Sequence, residues 1–257
     1  MMSSKPTESR PRLVIYSSHP IQYQVPWFRA LHQTGAVDLL VVFSYLPTPA
    51  QQGQGFGVAF QWDGDLLSGY RWVVARKRTW LKAKSGFFEQ VVADSSTELR
   101  EHRAVVALLT GWHVFPLVQW LNAARRAGVP TIMRGESNLM RPRRRLSELW
   151  HKYILRKCDA FLAIGTANRR FYEQYDVAPD RLFSALYFVD NAHFANAARQ
   201  AMGNRLALRA RWGIPEDSIC FCFAGKLEPK KRIFTLLHAL AEARRLTNRV
   251  QIGRAHV

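Results

Sequence analysis

The chain has 257 residues, 48% of them hydrophobic, and a formal net charge of +18. Length and apolar content suffice to bury a core for one large domain or one and a fraction, which excludes a disordered or fibrous chain. Three cysteines are too few for a disulfide framework, and no apolar run approaches the roughly twenty residues of a membrane span.

Residues 1–11 are polar, lack the layout of a secretory signal, and are expected to form a disordered tail. Leu13–Ser17 is the first predicted strand, followed by a loop and a helix over Pro26–Gln33. Further strands are predicted at Val37–Tyr45, Trp72–Ala75, Val105–Leu109, Thr131–Arg134 and Ala160–Ile164. Helical patterns fill the gaps at Phe87–His102, Phe115–Ala127, Leu146–Lys157 and Ala167–Tyr175. Continuous apolar strands alternating with helices specify a parallel sheet covered on both faces, a doubly wound α/β domain over residues 12–194. In such sheets ligands bind outside the carboxyl ends of the strands.

The segments at those ends are polar. Ser17-Ser-His-Pro-Ile-Gln-Tyr-Gln24 follows strand one, Thr110-Gly-Trp-His113 follows strand four, and Arg134-Gly-Glu-Ser-Asn138 follows strand five. His19, His113, Arg134 and Glu136 are therefore expected on one rim of the sheet. A satisfied structural hydrogen bond is the alternative role for each histidine.

Tyr187–Phe194 closes this unit. Residues 195–217 form a basic connecting segment, helical over Ala195–Trp212 and ended by Gly213-Ile-Pro215. A second sheet opens at residues 218–251 with a strand over Ile219–Ala224. Next comes the turn Ala224-Gly-Lys-Leu-Glu-Pro-Lys-Lys-Arg232 and an amphipathic helix. Gly225 permits close backbone approach, and Lys226 and Lys231 gather charge where a strand hands over to a helix N-terminus, a setting suited to a phosphate or diphosphate. Cys220 and Cys222 alternate with Phe221 and Phe223, so packing explains them better than metal ligation. Cys158 stands alone and is expected in the core, and the compartment is expected to be reducing.

The positive charge suits acidic partners, whether nucleotide diphosphates, anionic lipid headgroups or nucleic acid. It clusters at Arg76–Arg78 with Lys82 and Lys84, and at Arg141 with Arg143–Arg145, where a solvated face is the plainer alternative. Nucleic acid is the weakest of the three partners, because no recognition helix, finger or RNA-binding sheet signature accompanies the charge.

Residues Leu13 to Arg245 together resemble the retaining glycosyltransferases of family 4. The resemblance rests on His19-Pro-Ile-Gln-Tyr23, Arg134-Gly-Glu-Ser137, Ala163-Ile-Gly-Thr-Ala-Asn168, Tyr187-Phe-Val-Asp-Asn191, and Ala224-Gly-Lys-Leu227 with Lys231. It implies a GT-B fold, with an acceptor-side Rossmann-like domain and a donor-binding domain of which this chain carries the first β-α unit. It also implies transfer of a sugar from a nucleotide-diphosphate sugar to a glycan or lipid-linked acceptor, with retention and no cofactor. Lys226 and Lys231 match the family's Arg and Lys on the donor diphosphate, with Lys in place of Arg; His19 and Gln22 would face the same phosphates. Arg134, with Glu136, stands where members carry a histidine near the transferred sugar, and His113 joins them as a catalytic candidate.

The implied protein is cytoplasmic, with peripheral contact at an anionic inner membrane surface. The family's later pair of glutamates has no match, so the chain is expected to be an incomplete and inactive piece of an enzyme. Ile252–Val257 is expected to be a non-native tail, since ATC GGA AGA GCA CAC GTC, resembling a sequencing-library adapter, encodes it in frame. A non-catalytic nucleotide- or phosphosugar-binding domain is the alternative to the enzyme.

Overall fold

The computed structural model describes residues 10–54, 56–62, 64–78, 86–140 and 142–254. Lys82, Lys84 and Arg141 of the basic clusters lie outside them. In chain order the first elements are β1 (Arg12–Ser17), α1 (Val25–Thr34), β2 (Asp38–Phe43), α2 (Pro49–Gln52), β3 (Trp72–Val74) and α3 (Ser95–Glu101). They are followed by β4 (Val106–Leu109), α4 (Phe115–Ala127), β5 (Thr131–Met133), α5 (Arg145–Leu155), β6 (Ala160–Ala163), α6 (Thr166–Gln174) and β7 (Leu182–Ser184). The remainder comprises α7 (Asn191–Met202), α8 (Arg205–Arg211), β8 (Ile219–Phe223), α9 (Ile233–Leu246) and β9 (Val250–Arg254).

The described residues form two compact units, one drawn from Met1–Leu46 and Gly64–Val189, the other from Pro47–Asp63 and Asp190–Val257. The first is built on a seven-stranded sheet in the order β3-β2-β1-β4-β5-β6-β7, with every pairing parallel. Strand β1 is central, and Val14, Ile15, Tyr16 and Ser17 are all buried, as a strand covered on both faces requires. Its side chains divide by parity. Val14 and Tyr16 join the core shared with α3, α4, α5 and α6, while Ile15 joins the core shared with Val25 and Phe28 of α1. At the two sheet edges burial falls away, at Val73 and Val74 on β3 and Phe183 on β7.

Local signals set the element ends. Helices α1 and α4 begin beside Pro26 and Pro116 and stop at Gly35 and Gly128, both left-handed. Two expected helices are shorter than the sequence pattern suggests. The pattern over Phe87–His102 yields only α3, because Asp94 accepts hydrogen bonds from the Ser96 and Thr97 amides and caps the helix there. Upstream, the Val92 amide is taken by the Gln119 side chain, not by a helical turn. The helix expected over Ala195–Trp212 starts earlier and is split into α7 and α8 at Gly203-Asn204, where glycine is a poor helix former.

In the second unit β8 and β9 pair in parallel, Ile219 opposite Val250 and Phe223 opposite Arg254, with α9 as the connection. Ile252, Gly253 and Arg254 continue β9; residues 255–257 lie outside the described residues.

Leu109 is fully buried at the middle of the first sheet. Leu109→Ala should lower unfolding free energy by about 2–5 kcal/mol in urea titration. Val73→Thr on the edge strand should cost under about 1 kcal/mol. Equal effects at the two positions would contradict the assignment of centre and edge.

Candidate functional site

Strands β1 and β4 are neighbours, with Tyr16 opposite Leu109, yet their following helices α1 and α4 pack on opposite faces. That divergence leaves a gap at the carboxyl rim, the place where doubly wound sheets take ligands. Three loops supply its polar lining.

The loop after β1 is held by its own side chains. The Ser17 hydroxyl donates to Gln24 Oε1 at 3.1 Å, and the Ser44 amide donates to the Ser17 carbonyl at 2.9 Å. Ser18 Oγ lies 3.0 Å from His19 Nδ1, so a ligand would meet the other ring nitrogen. Burial, and to a lesser extent the nearby His113, together lower the His19 pKa to about 4. His19 is thus neutral at physiological pH and offers a hydrogen bond, not a positive charge. Gln22, on the same loop, is exposed.

The loop after β4 turns at Gly111, whose φ of 127° strains any residue with a side chain. Trp112 is buried, and His113 projects towards solvent. Desolvation in the crevice lowers the His113 pKa, with Glu136 opposing the shift.

Arg134 extends the β4–β5 ladder, its amide donating to the Leu109 carbonyl at 2.9 Å. It is only 4% exposed, and its guanidinium lies over two rings, 5.3 Å from the Trp27 centroid and 5.2 Å from that of Tyr187. Among the described residues no carboxylate comes within ion-pair distance of it. Burial accordingly lowers its pKa, with Tyr187 and Glu136 opposing. The exposed Glu136 acts on Arg134, His113, Tyr23 and Tyr187 together. Tyr23 and Tyr187 meet edge to face at 5.3 Å, each partly exposed.

The residue between Arg134 and Glu136 must be glycine. Its amide donates to the Tyr172 hydroxyl at 3.0 Å, and a Cβ on Gly135 would come within 2.6 Å of the Trp112 ring. Asn168 at the start of α6 ties this loop to the next: its Oδ1 accepts from the Ile164 amide at 3.1 Å and its Nδ2 donates to the Ser137 carbonyl at 2.7 Å.

His19, His113, Arg134 and Glu136 therefore occupy one electrostatically coupled rim, as the order of the loops suggests. Trp27, one of the two rings against Arg134, escapes a reading by local motif because it sits far from it in sequence; Tyr187 lies in a quoted motif, but nothing in that motif ties it to Arg134. The signal that could have found them is the aromatic content of the segments flanking the rim.

The other candidates, Gly225, Lys226 and Lys231, lie in the second unit. The Lys226 ammonium donates to the Gln54 carbonyl at 2.5 Å and sits 5.0 Å from the Phe56 ring centroid, so it is partly engaged. Glu228 pairs with Lys230 at 2.7 Å; that hydrogen bond, with the charges of Lys230, Lys226 and Lys231, lowers its pKa. The turn thus concentrates three ammonium groups around one carboxylate. A Cβ on Gly225 would meet nothing closer than Phe223 at 3.6 Å, so its φ of 154°, and not crowding, is what favours glycine there. Among the described residues no cluster of His, Cys, Asp or Glu has the makings of a metal site, and no helix is long and apolar enough to cross a membrane.

Gly135→Ala should push Trp112 from its place and cost about 1–3 kcal/mol by overpacking. A thermal melt unchanged from wild type would contradict the contact. For His19 the folded pKa lies below its ordinary value of 6.5, so the unfolded chain binds the proton more readily between pH 6.5 and 4. Its contribution to stability is present above pH 6.5 and is lost as pH falls through that window. Urea titrations at several pH values should show a shallower acid loss in His19→Gln than in wild type, and an NMR titration midpoint of His19 above 6 would refute the assignment.

No protein-family model matches the chain, and no curated protein matches it. Among solved structures it is similar to a glycosyltransferase from Rickettsia africae, at 8% identity and a TM-score of 0.56, covering 96% of this chain and 69% of that one. It is also similar to UDP-GlcNAc 2-epimerase from Neisseria meningitidis bound to UDP-GlcNAc, at 11% identity and a TM-score of 0.54, covering 95% and 66%. A third neighbour is UDP-N-acetylglucosamine 2-epimerase from Rickettsia bellii, at 12% identity and a TM-score of 0.50, covering 96% and 62%. The chain spans about two thirds of the length of these proteins or slightly less. At such identities the likeness is one of architecture, and the architecture is an α/β fold of the GT-B type, with one doubly wound Rossmann-like unit and the opening of a second.

Proposed function

We propose that the chain is part of a glycosyltransferase that moves a sugar from a nucleotide-diphosphate sugar to a glycan or lipid-linked acceptor, with retention of configuration. The observation that carries this reading is the rim itself. A buried guanidinium with no carboxylate partner among the described residues, two imidazoles whose pKa burial lowers, and an exposed carboxylate converge at the switch point of the sheet. The fold supports a nucleotide-sugar ligand, because one neighbour of this architecture holds UDP-GlcNAc.

In this reading Lys226 and Lys231 meet the diphosphate, whose negative charge grows as the sugar–phosphate bond breaks. Arg134 and Glu136 orient the transferred sugar or the acceptor hydroxyl. His113 and His19, uncharged near neutral pH, donate or accept hydrogen bonds without adding charge to the oxocarbenium-like centre. Two neighbours are 2-epimerases, which favours sugar interconversion on the same ligand as a second reading.

Titrating the chain with UDP, then with a panel of nucleotide sugars, should give saturable binding by calorimetry, weakened about five- to tenfold by Lys231→Ala. Free nucleotide released on adding an acceptor marks transfer. A changed sugar on intact UDP marks epimerisation, and binding with neither marks a recognition domain. Absence of binding to any nucleotide or nucleotide sugar would refute the proposal.

A further inference from the structure

Helix α5 presents three faces. His151, Ile154 and Leu155 are buried against the first unit, as an amphipathic helix on a globular core requires. The outward face is nevertheless apolar: Leu146, Leu149 and Tyr153, spaced i, i+3 and i+7, are 79%, 63% and 47% exposed. Met140, in the loop leading to the helix, is 82% exposed. Trp150 and Phe87, half-buried against the core with ring centroids 6.1 Å apart, lie beside the stripe, and Phe88, 4.8 Å from Phe87, is exposed. Clustered exposed side chains of this size differ from the scattered apolar residues of an ordinary surface.

The third face is cationic. Arg145, Lys152 and Arg156 are exposed along one flank of the apolar stripe, with Arg144 at the N-cap. Arginines at the start of a helix oppose its dipole, so helix stability does not account for Arg144 and Arg145. Glu148 is the single acidic residue on the helix. Leu139, Arg143, Glu148 and Lys152 line a cleft of about 300 Å³ beside this flank.

We propose that α5 and the adjoining loop tips form a docking surface for an anionic lipid bilayer. Leu146, Leu149, Tyr153 and Met140 enter the headgroup–acyl boundary, while Arg144, Arg145, Lys152 and Arg156 meet lipid phosphates. An apolar stripe with a basic flank on a helix that lies in the interface plane is the chemistry such a surface recognises. A protein partner would not need cations on this scale beside the apolar stripe, and a second copy of the chain, itself carrying +18, would be repelled. The inference rests on this surface alone and does not depend on any nucleotide-sugar ligand.

The test is co-sedimentation of the chain with phosphatidylcholine vesicles, with and without phosphatidylglycerol. Binding should appear with the anionic vesicles and weaken as salt rises. Because +18 alone would attract anionic vesicles, the deciding variant is Leu146→Ser with Leu149→Ser, which leaves charge unaltered and should bind about tenfold more weakly. Arg144→Glu with Arg145→Glu should lose binding while keeping the apolar stripe. Should either double variant melt differently from wild type, Leu149→Gln alone replaces it, with a loss of several-fold expected. Failure of the intact chain to bind anionic vesicles, or equal binding by the serine variant, would overturn the proposal. So would a dimer in size-exclusion chromatography that the serine variant dissociates while vesicle affinity stays constant.

Discussion

Everything at the rim depends on β1 being hydrogen-bonded in parallel to both β2 and β4. A parallel strand in that position must bury both faces, which is why its sequence runs Val14, Ile15, Tyr16 without a polar interruption. Because the chain leaves β1 towards one face and β4 towards the other, the two loops separate just where the strands end. The same ladder that supplies the core therefore opens the gap that His19 and His113 face. Cost and benefit share one origin: two polar loops must be held against a dry core, and Ser17, Gln24 and Thr110 do so by bonding to the loops and to the strand backbone.

At the rim of the first unit Arg134 is buried with its guanidinium against the Trp27 and Tyr187 rings, whose π-faces replace part of its solvation. Desolvation lowers the pKa of both His19 and His113, most strongly at the more buried His19. In the second unit Lys226, Lys230 and Lys231 gather positive charge around Glu228. Lysine there keeps charge but not the two-pronged geometry of arginine, and Lys226 already spends one hydrogen bond on the Gln54 carbonyl.

Most strands were legible in the sequence because a fully buried parallel strand is an unbroken apolar word, and Phe115–Ala127 was legible as a helix because proline and glycine bracket it. Strand β7 was not, being three residues at an edge with Phe183 facing out. The start of α3 was hidden because the apolar pattern runs on upstream of Asp94, and only the capping bonds reveal where the helix begins. At the site, the polar loops and their convergence followed from the order of strands and helices. The contact of Trp27 with Arg134 did not, since a cation–π contact between residues more than a hundred positions apart leaves no local periodicity. The engagement of Lys226 by Gln54 was invisible for the same reason.

Gly135 wedged under Trp112, its amide on Tyr172, and Asn168 bridging to Ser137 fasten the loops after β4, β5 and β6 to one another. Such loops cannot relax independently. A ligand that displaces the Trp112 indole presses on Gly135, the residue after Arg134, so the two loops respond together. The three segments behave mechanically as a single jaw, so the ordering entropy that three separate loops would surrender on contact with a ligand has already been spent in folding.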